Sequence, residues 1–163
     1  ELKKHAAELA DPAGWKVVRD GVAVRYAQAG MDEGAAGDLL LLCRSDDRRE
    51  KETAMLELFS TRIEEALVRL RRRCENAKKP LSLETIQRQV GRLLQRNQRA
   101  AKTFVIRLET ANEVPSGIRV EWSRDEAEQK LKEQSHGCYA LRTNVQNWTE
   151  DEVWKTYIQL TQV

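Results

Sequence analysis

The sequence is poor in the residues that build metal and disulfide sites. It has two histidines, His5 and His136, and three cysteines, Cys43, Cys74 and Cys138. The cysteines are odd in number, lie far apart and include no CxxC pair. A structural zinc site needs four ligands, usually with short paired spacings. The cysteines therefore read as reduced, mostly buried thiols, which favours the cytoplasm. No apolar run approaches the roughly 18 residues that cross a bilayer, so no membrane partner is expected. The opening, ELKKHAAELADPAGW, lacks the apolar centre of a secretory signal. It starts on Glu rather than Met, as a piece of a longer protein would. Aromatic residues make up 6% and charged residues 33% of the chain, a soluble composition with enough Leu, Val, Ile and Trp for a modest core. The 163 residues suit one domain or one piece of a larger domain.

What the chain does have is sorted charge. The net charge is +2, yet Arg69 to Lys102 holds eleven Lys or Arg against two acids, Glu75 and Glu84. That segment carries +9 (11 − 2), which leaves −7 (2 − 9) for the rest. Charge sorted in this way suggests one surface made for a polyanion.

Patterning predicts a mixed α+β or α/β chain. Residues 2–9 read as a short helix that stops near Pro12. WKVVRDGVAVRYA, 15–27, reads as a hairpin in which Asp20-Gly21 accepts the positive φ of a tight turn. DLLLLC, 38–43, is a continuous apolar run, as in a strand buried on both faces. A long helix opens near Ser45, with Ser45 or Asp46 as its cap. It carries Met55, Phe59, Ile63, Leu67, Leu70 and Cys74 in one apolar stripe. NAKKP breaks it, and Ser82 caps a second helix to about Ala101. The two helices pair as an antiparallel hairpin over 46–101. Two strands lie within 103–123, around the turn NEVPSG, and a short helix covers 124–134. GCYALRT is the last strand and 149–163 the last helix. Thr149 and Glu152 form a capping box there. Val153, Tyr157 and Leu160 share its core-facing stripe, with Trp154 beside them.

The second long helix carries the most chemistry. Arg88, Arg92, Arg96 and Arg99 are spaced 4, 4 and 3, which at roughly 100° per residue sets them on one narrow face. Ile86, Val90, Leu93 and Leu94 lie opposite, and no acid occurs between Thr85 and Lys102. Guanidiniums at one-turn spacing can follow a phosphate backbone through counterion release, without reading sequence. Lys102, Arg71, Arg72 and Arg73 extend the same field. The pattern equally suits the solvated outer face of a helical hairpin, so both readings stand at this level.

Other candidates carry less. Asp46 and Asp47 are adjacent on a helix and diverge by about 100°, which makes a poor metal cage. Asp47 with Lys51, and Arg48 with Glu52, sit instead at i,i+4 as surface ion pairs. His136 and Cys138 have no assignable catalytic partner. Glu150, Asp151 and Glu152 occupy a first helical turn, where acids are ordinary dipole partners. The residues by themselves assign no catalytic site and no small-molecule substrate.

The last segment, HGCYALRTNVQNWTEDEVWKTYIQLTQV, resembles the run that leads to the third catalytic residue in DDE transposases of the insertion-sequence-four family. Members typically read D-G-x-Y-x-L-R-T-N, then a helix with the signature Y-(2)-R-(3)-E-(6)-K. Tyr157 fits the first signature position. Leu160 stands at the Arg position, which weakens the case for a phosphate contact there. The Glu would fall one residue beyond Val163. His136 stands where many members have Asp, outside the catalytic triad. LLCRSDDRREKETAM and VGRLLQRNQRAAKTFVIRL resemble two further family segments, so the likeness runs from about Trp15 to Val163.

The resemblance implies a ribonuclease-H-like domain with an inserted β-hairpin and a long helical hairpin. In that family two Asp and one Glu hold two divalent ions, Mg2+ in the parent enzyme, which cut and join DNA. No residue of this chain matches either Asp, so the chain alone is expected to be inactive and to need no cofactor. Residues 1–135 would be the insertion between the second Asp and the Glu, and 136–163 the last sheet strand and the start of the Glu helix. Such insertions contact transposon-end DNA, which favours the phosphate-binding reading of the stripe. A sheet lacking its first strands would expose an edge and self-associate. The alternative is a non-enzymatic helical interaction module that binds a protein partner through the Met55 to Cys74 stripe.

Overall fold

In chain order, the computed structural model has a 3-10 turn at Leu2–His5, α1 at Ala6–Ala10, β1 at Lys16–Arg19, β2 at Val22–Tyr26 and β3 at Leu39–Ser45. Next come α2 at Asp46–Glu75, α3 at Leu83–Arg96, α4 at Gln98–Ala101, β4 at Phe104–Thr110 and β5 at Ile118–Arg124. The chain ends with α5 at Glu126–Ser135, β6 at Cys138–Thr143 and α6 at Glu150–Thr161. The structure describes residues 2–27 and 38–161, so the end of the helix expected to reach 163 lies outside the described residues. The class is mixed α+β. Two compact units form: Glu1–Glu52 with Leu131–Val163, and Thr53–Lys130. The division expected at 135/136 thus falls inside the first unit.

In the first unit four antiparallel strands pair in the order β1-β2-β3-β6. β3 is central, and its apolar run covers both faces of the sheet. Leu41 and Cys43 cluster with Val24 and with Val153 and Trp154 of α6. Leu42 faces the other way, toward Leu9 and Cys138. Burial pushes the Cys43 thiol up to about 12, so it stays protonated and inert. The hairpin turn differs from expectation in one respect. Only Gly21 takes positive φ, at 68°, and the register shifts between Val17 and Arg19. A bulge in β1 therefore absorbs part of the turn. Arg25 is buried and donates to the Ala13 carbonyl at 2.9 Å, while the Arg44 guanidinium lies 3.8 Å from the Trp15 ring centroid. These two side chains bind the N-terminal segment to the sheet.

In the second unit α2 and α3 run antiparallel. Cys74 near the end of α2 clusters with Ile86 near the start of α3, and Ile63 and Leu67 cluster with Val90 and with Ala100 of α4. Burying Ile63 and Leu67 contributes about 2–3 kcal/mol each. The α2 stripe includes Leu56, buried where Met55 is only partly so. β4 and β5 pair with each other and present Phe104, Ile118 and Val120 inward. On their other face Arg107 is opposite Glu121 and Glu109 opposite Arg119, complementary pairs that suit an exposed ladder.

The helix starts follow the side-chain caps. Ser45 Oγ accepts from the Arg48 N–H at 3.4 Å, and Ser82 Oγ from the Thr85 N–H at 3.4 Å. Glu152 Oε2 accepts from the Thr149 N–H at 2.8 Å, and Thr149 Oγ1 from the Glu152 N–H at 3.4 Å, closing the capping box. Arg48 pairs with Glu52 at 2.8 Å. Asp47 and Lys51 form no ion pair among the described residues.

Gly137 fixes the corner where β3 passes into α2. Its φ is +74°, its carbonyl accepts from Ser45 N–H at 2.9 Å, and its N–H donates to Glu52 at 2.9 Å. A Cβ there would stand 2.5 Å from Ser45 O and 2.7 Å from Arg49 Cβ. Gly137→Ala should therefore destabilise the chain by about 2–4 kcal/mol. Gly91, on an exposed helical turn with nothing near it, should do the reverse: Gly91→Ala should stabilise by about 0.5–1 kcal/mol. Denaturant midpoints of the two variants, moving in opposite directions, are the check.

Candidate nucleic-acid interface

α3 is amphipathic because its apolar residues recur every three or four positions. Ile86 and Val90 are buried, Leu93 and Leu94 are half-buried, and Arg88, Arg92 and Arg96 are exposed. The helix is not continuous to Ala101. It stops at Arg96, Asn97 takes φ −120° and ψ 38°, and α4 begins at Gln98. The cause is local. The buried Asn97 amide donates to the Leu93 carbonyl at 2.8 Å, and its backbone N–H bonds Leu94 at 3.1 Å. A side chain that bonds the preceding turn competes with the regular ladder. Three arginines of the stripe thus share one helix, while Arg99 sits on the short helix after the break.

The eight basic residues singled out from sequence differ in what they can offer. Arg92, Arg96 and Lys102 are exposed and make no ion pair among the described residues. Arg99 and Arg72 are exposed. Arg88 pairs with Glu84 at 2.6 Å, an i,i+4 contact between exposed groups that water screens heavily. Arg73 donates to Gln89 at 3.2 Å. Arg71 is committed to packing: it is half-buried, lies 4.0 Å from the Trp122 ring centroid and donates to the Val120 carbonyl at 3.2 Å. The eight leave out Arg62 and Arg69, two exposed arginines of α2, although Arg69 opens the basic segment. Their signal was a spacing of seven residues, two turns of one helix face.

The signature region lies in the first unit. Val153 and Trp154 of α6 are buried, and the Trp154 indole N–H donates to the Tyr139 hydroxyl at 3.1 Å. Tyr157 is 37% exposed and Leu160 74% exposed, so neither belongs to a core-facing stripe. The inward face runs through Trp154 and Ile158 instead. Tyr157 lies 6.2 Å from the Tyr139 ring. Among the described residues, no three His, Cys, Asp or Glu are grouped to hold a metal ion, and no helix is long and apolar enough to cross a membrane.

His136 and Glu52 meet at the Gly137 corner. Burial lowers the His136 pKa, with the Glu52 charge opposing it. Burial also opposes charge on Glu52, but hydrogen bonds from Arg48 and the Gly137 N–H outweigh it and hold the carboxyl below its ordinary range. A carboxyl that titrates lower when folded stabilises fully above about pH 4.3, its unfolded value. That stabilisation is lost as pH falls through the folded value. Glu52→Gln should therefore lower stability at neutral pH and flatten the acid limb of the stability curve. Denaturation at stepped pH reads this directly, and an unchanged acid limb would remove Glu52 from the linkage.

Compared with known proteins, the chain matches no family model, no curated protein and no solved structure.

Proposed function

We propose that this chain is part of a DDE transposase of the insertion-sequence-four family and that its Thr53–Lys130 unit binds DNA through the basic face of α3 and α4. One observation carries the DNA reading. Arg88, Arg92 and Arg96 are exposed on one face of α3, with Ile86 and Val90 buried on the other. Successive arginines rise by about 6 Å, close to twice the 3.4 Å axial spacing of phosphates on one strand. Guanidiniums suit phosphate because their planar fork donates two parallel hydrogen bonds. The contact is to the backbone, so it positions DNA without selecting a sequence.

The transposase reading is supported by the sequence likeness around Tyr157 and by the capped α6 that follows β6. In that reading the β1-β2-β3-β6 sheet belongs to a ribonuclease-H-like domain, and the protein works in the cytoplasm on transposon ends. The parent enzyme cuts and joins DNA with Mg2+. In the sequence likeness no residue of this chain matches the two Asp of the family. This chain supplies DNA contacts, and phosphodiester cleavage belongs to groups outside it.

Salt separates this reading from a helical module that binds a protein partner. Four phosphate contacts give a slope of about −3.6, a loss of roughly 150-fold between about 50 and 200 mM salt. An apolar helix interface hardly responds. Arg92→Glu with Arg96→Glu should abolish binding to a labelled mixed-sequence duplex. Undiminished affinity in that double variant would sink the stripe as the DNA contact.

A further inference from the structure

The arginines of α3 have counterparts on α2. The Arg73 to Gln89 hydrogen bond crosses from one helix to the other. It closes one end of a surface groove of about 240 Å3 along the seam between the helices. Ala66, Leu70, Val90 and Leu93 form the floor, and Arg69 lines the wall beside Arg73. Arg62 lies one turn before Ala66, on the same side of α2. Arg92 and Arg96 lie three residues after Gln89 and Leu93, on the same side of α3. Arg69 and Arg73 line the groove itself, while Arg62 on α2, beside the Phe59 ring, and Arg92 and Arg96 on α3 are exposed beyond its edges. Glu65, which pairs with Arg69 at 3.5 Å, is the acid on this rim.

We infer that this groove takes the sugar–phosphate backbone of a DNA strand, with deoxyribose on the aliphatic floor and phosphates bracketed by arginines of both helices. The inference rests on the DNA-binding reading and changes its geometry from one helix face to a two-walled channel. Charge complementarity selects the occupant, since Arg69 and Arg73 make the α2 wall cationic and the exposed Arg92 and Arg96 of α3 add positive charge beyond the opposite edge. The floor is aliphatic, so it suits the 2′-methylene of deoxyribose better than the 2′-hydroxyl of RNA.

The test uses the full chain and labelled mixed-sequence duplexes of DNA and of RNA. Arg62→Gln with Arg69→Gln should weaken DNA binding as much as Arg92→Gln with Arg96→Gln, each pair lowering the salt slope by about two. Glu65→Gln should tighten binding, a gain that misfolding cannot mimic. DNA should bind better than RNA. If the α3 pair weakens binding and the α2 pair does not, the groove fails and the single-helix stripe survives. If the unaltered chain binds no DNA, both fail together. Equal binding of RNA overturns the role of the floor. Displacement of DNA by poly-glutamate at equal charge concentration would assign the groove to an acidic polypeptide and overturn the proposal.

Discussion

The burial of Ile86 and Val90 against α2 decides which way every arginine of α3 points. Both side chains sit in apolar clusters shared with Leu67 and Cys74. Rotating α3 by even one residue, about 100°, would expose them and drive a guanidinium into the seam. Burying an unpaired charge is far more costly than losing one apolar contact. The helix therefore has one stable phase, and the basic face is a consequence of the apolar one. The helix break depends on the same burial. Asn97 is buried in line with Ile86 and Val90, and its amide finds the Leu93 carbonyl as its partner.

Periodicity made much of this legible. The long α2, the Ser82 cap, the alternation of β4 and β5, and the Thr149–Glu152 box all follow from signals within a few residues. What escaped depended on groups distant in sequence or on one side chain's choice of partner. The break at Asn97 is one case, because Asn-Gln-Arg-Ala-Ala reads as passable helix until the amide turns back on its own backbone. Gly137 is another: its need for a hydrogen side chain comes from Ser45 and Arg49, more than eighty residues earlier. Arg71 looked like part of a basic cluster and is spent on Trp122 and Val120 instead. The exposure of Tyr157 and Leu160 was hidden for a related reason. A three-to-four spacing marks a stripe but does not say how far along the helix its partner surface extends.

The first unit shows the same division between local and distant causes. The apolar run of β3 announces a strand covered on both faces, yet it cannot name the covers. Val153 and Trp154 serve one face, and Leu9 of α1 the other. Two arginines complete the second cover by bonding carbonyls at the end of α1 and beyond it. Cations suit that position because the last carbonyls of a helix are unpaired and carry partial negative charge.

The arginine stripe is not what stability alone would select. Like charges at i,i+4 on a helix are each unfavourable by about 0.2–0.5 kcal/mol. Arg88 with Arg92, and Arg92 with Arg96, form two such pairs, and Arg92 and Arg96 have no acid beside them. Replacing Arg92 with Glu would turn both repulsions into attractions while leaving Ile86 and Val90 in place. The chain uses that device elsewhere, pairing Arg48 with Glu52, Arg69 with Glu65 and Lys155 with Asp151 at the same spacing. Its absence at Arg92 and Arg96 leaves a repulsive surface on a helix whose core face is already secure. A polyanion that neutralised the stripe would relieve that repulsion as it bound.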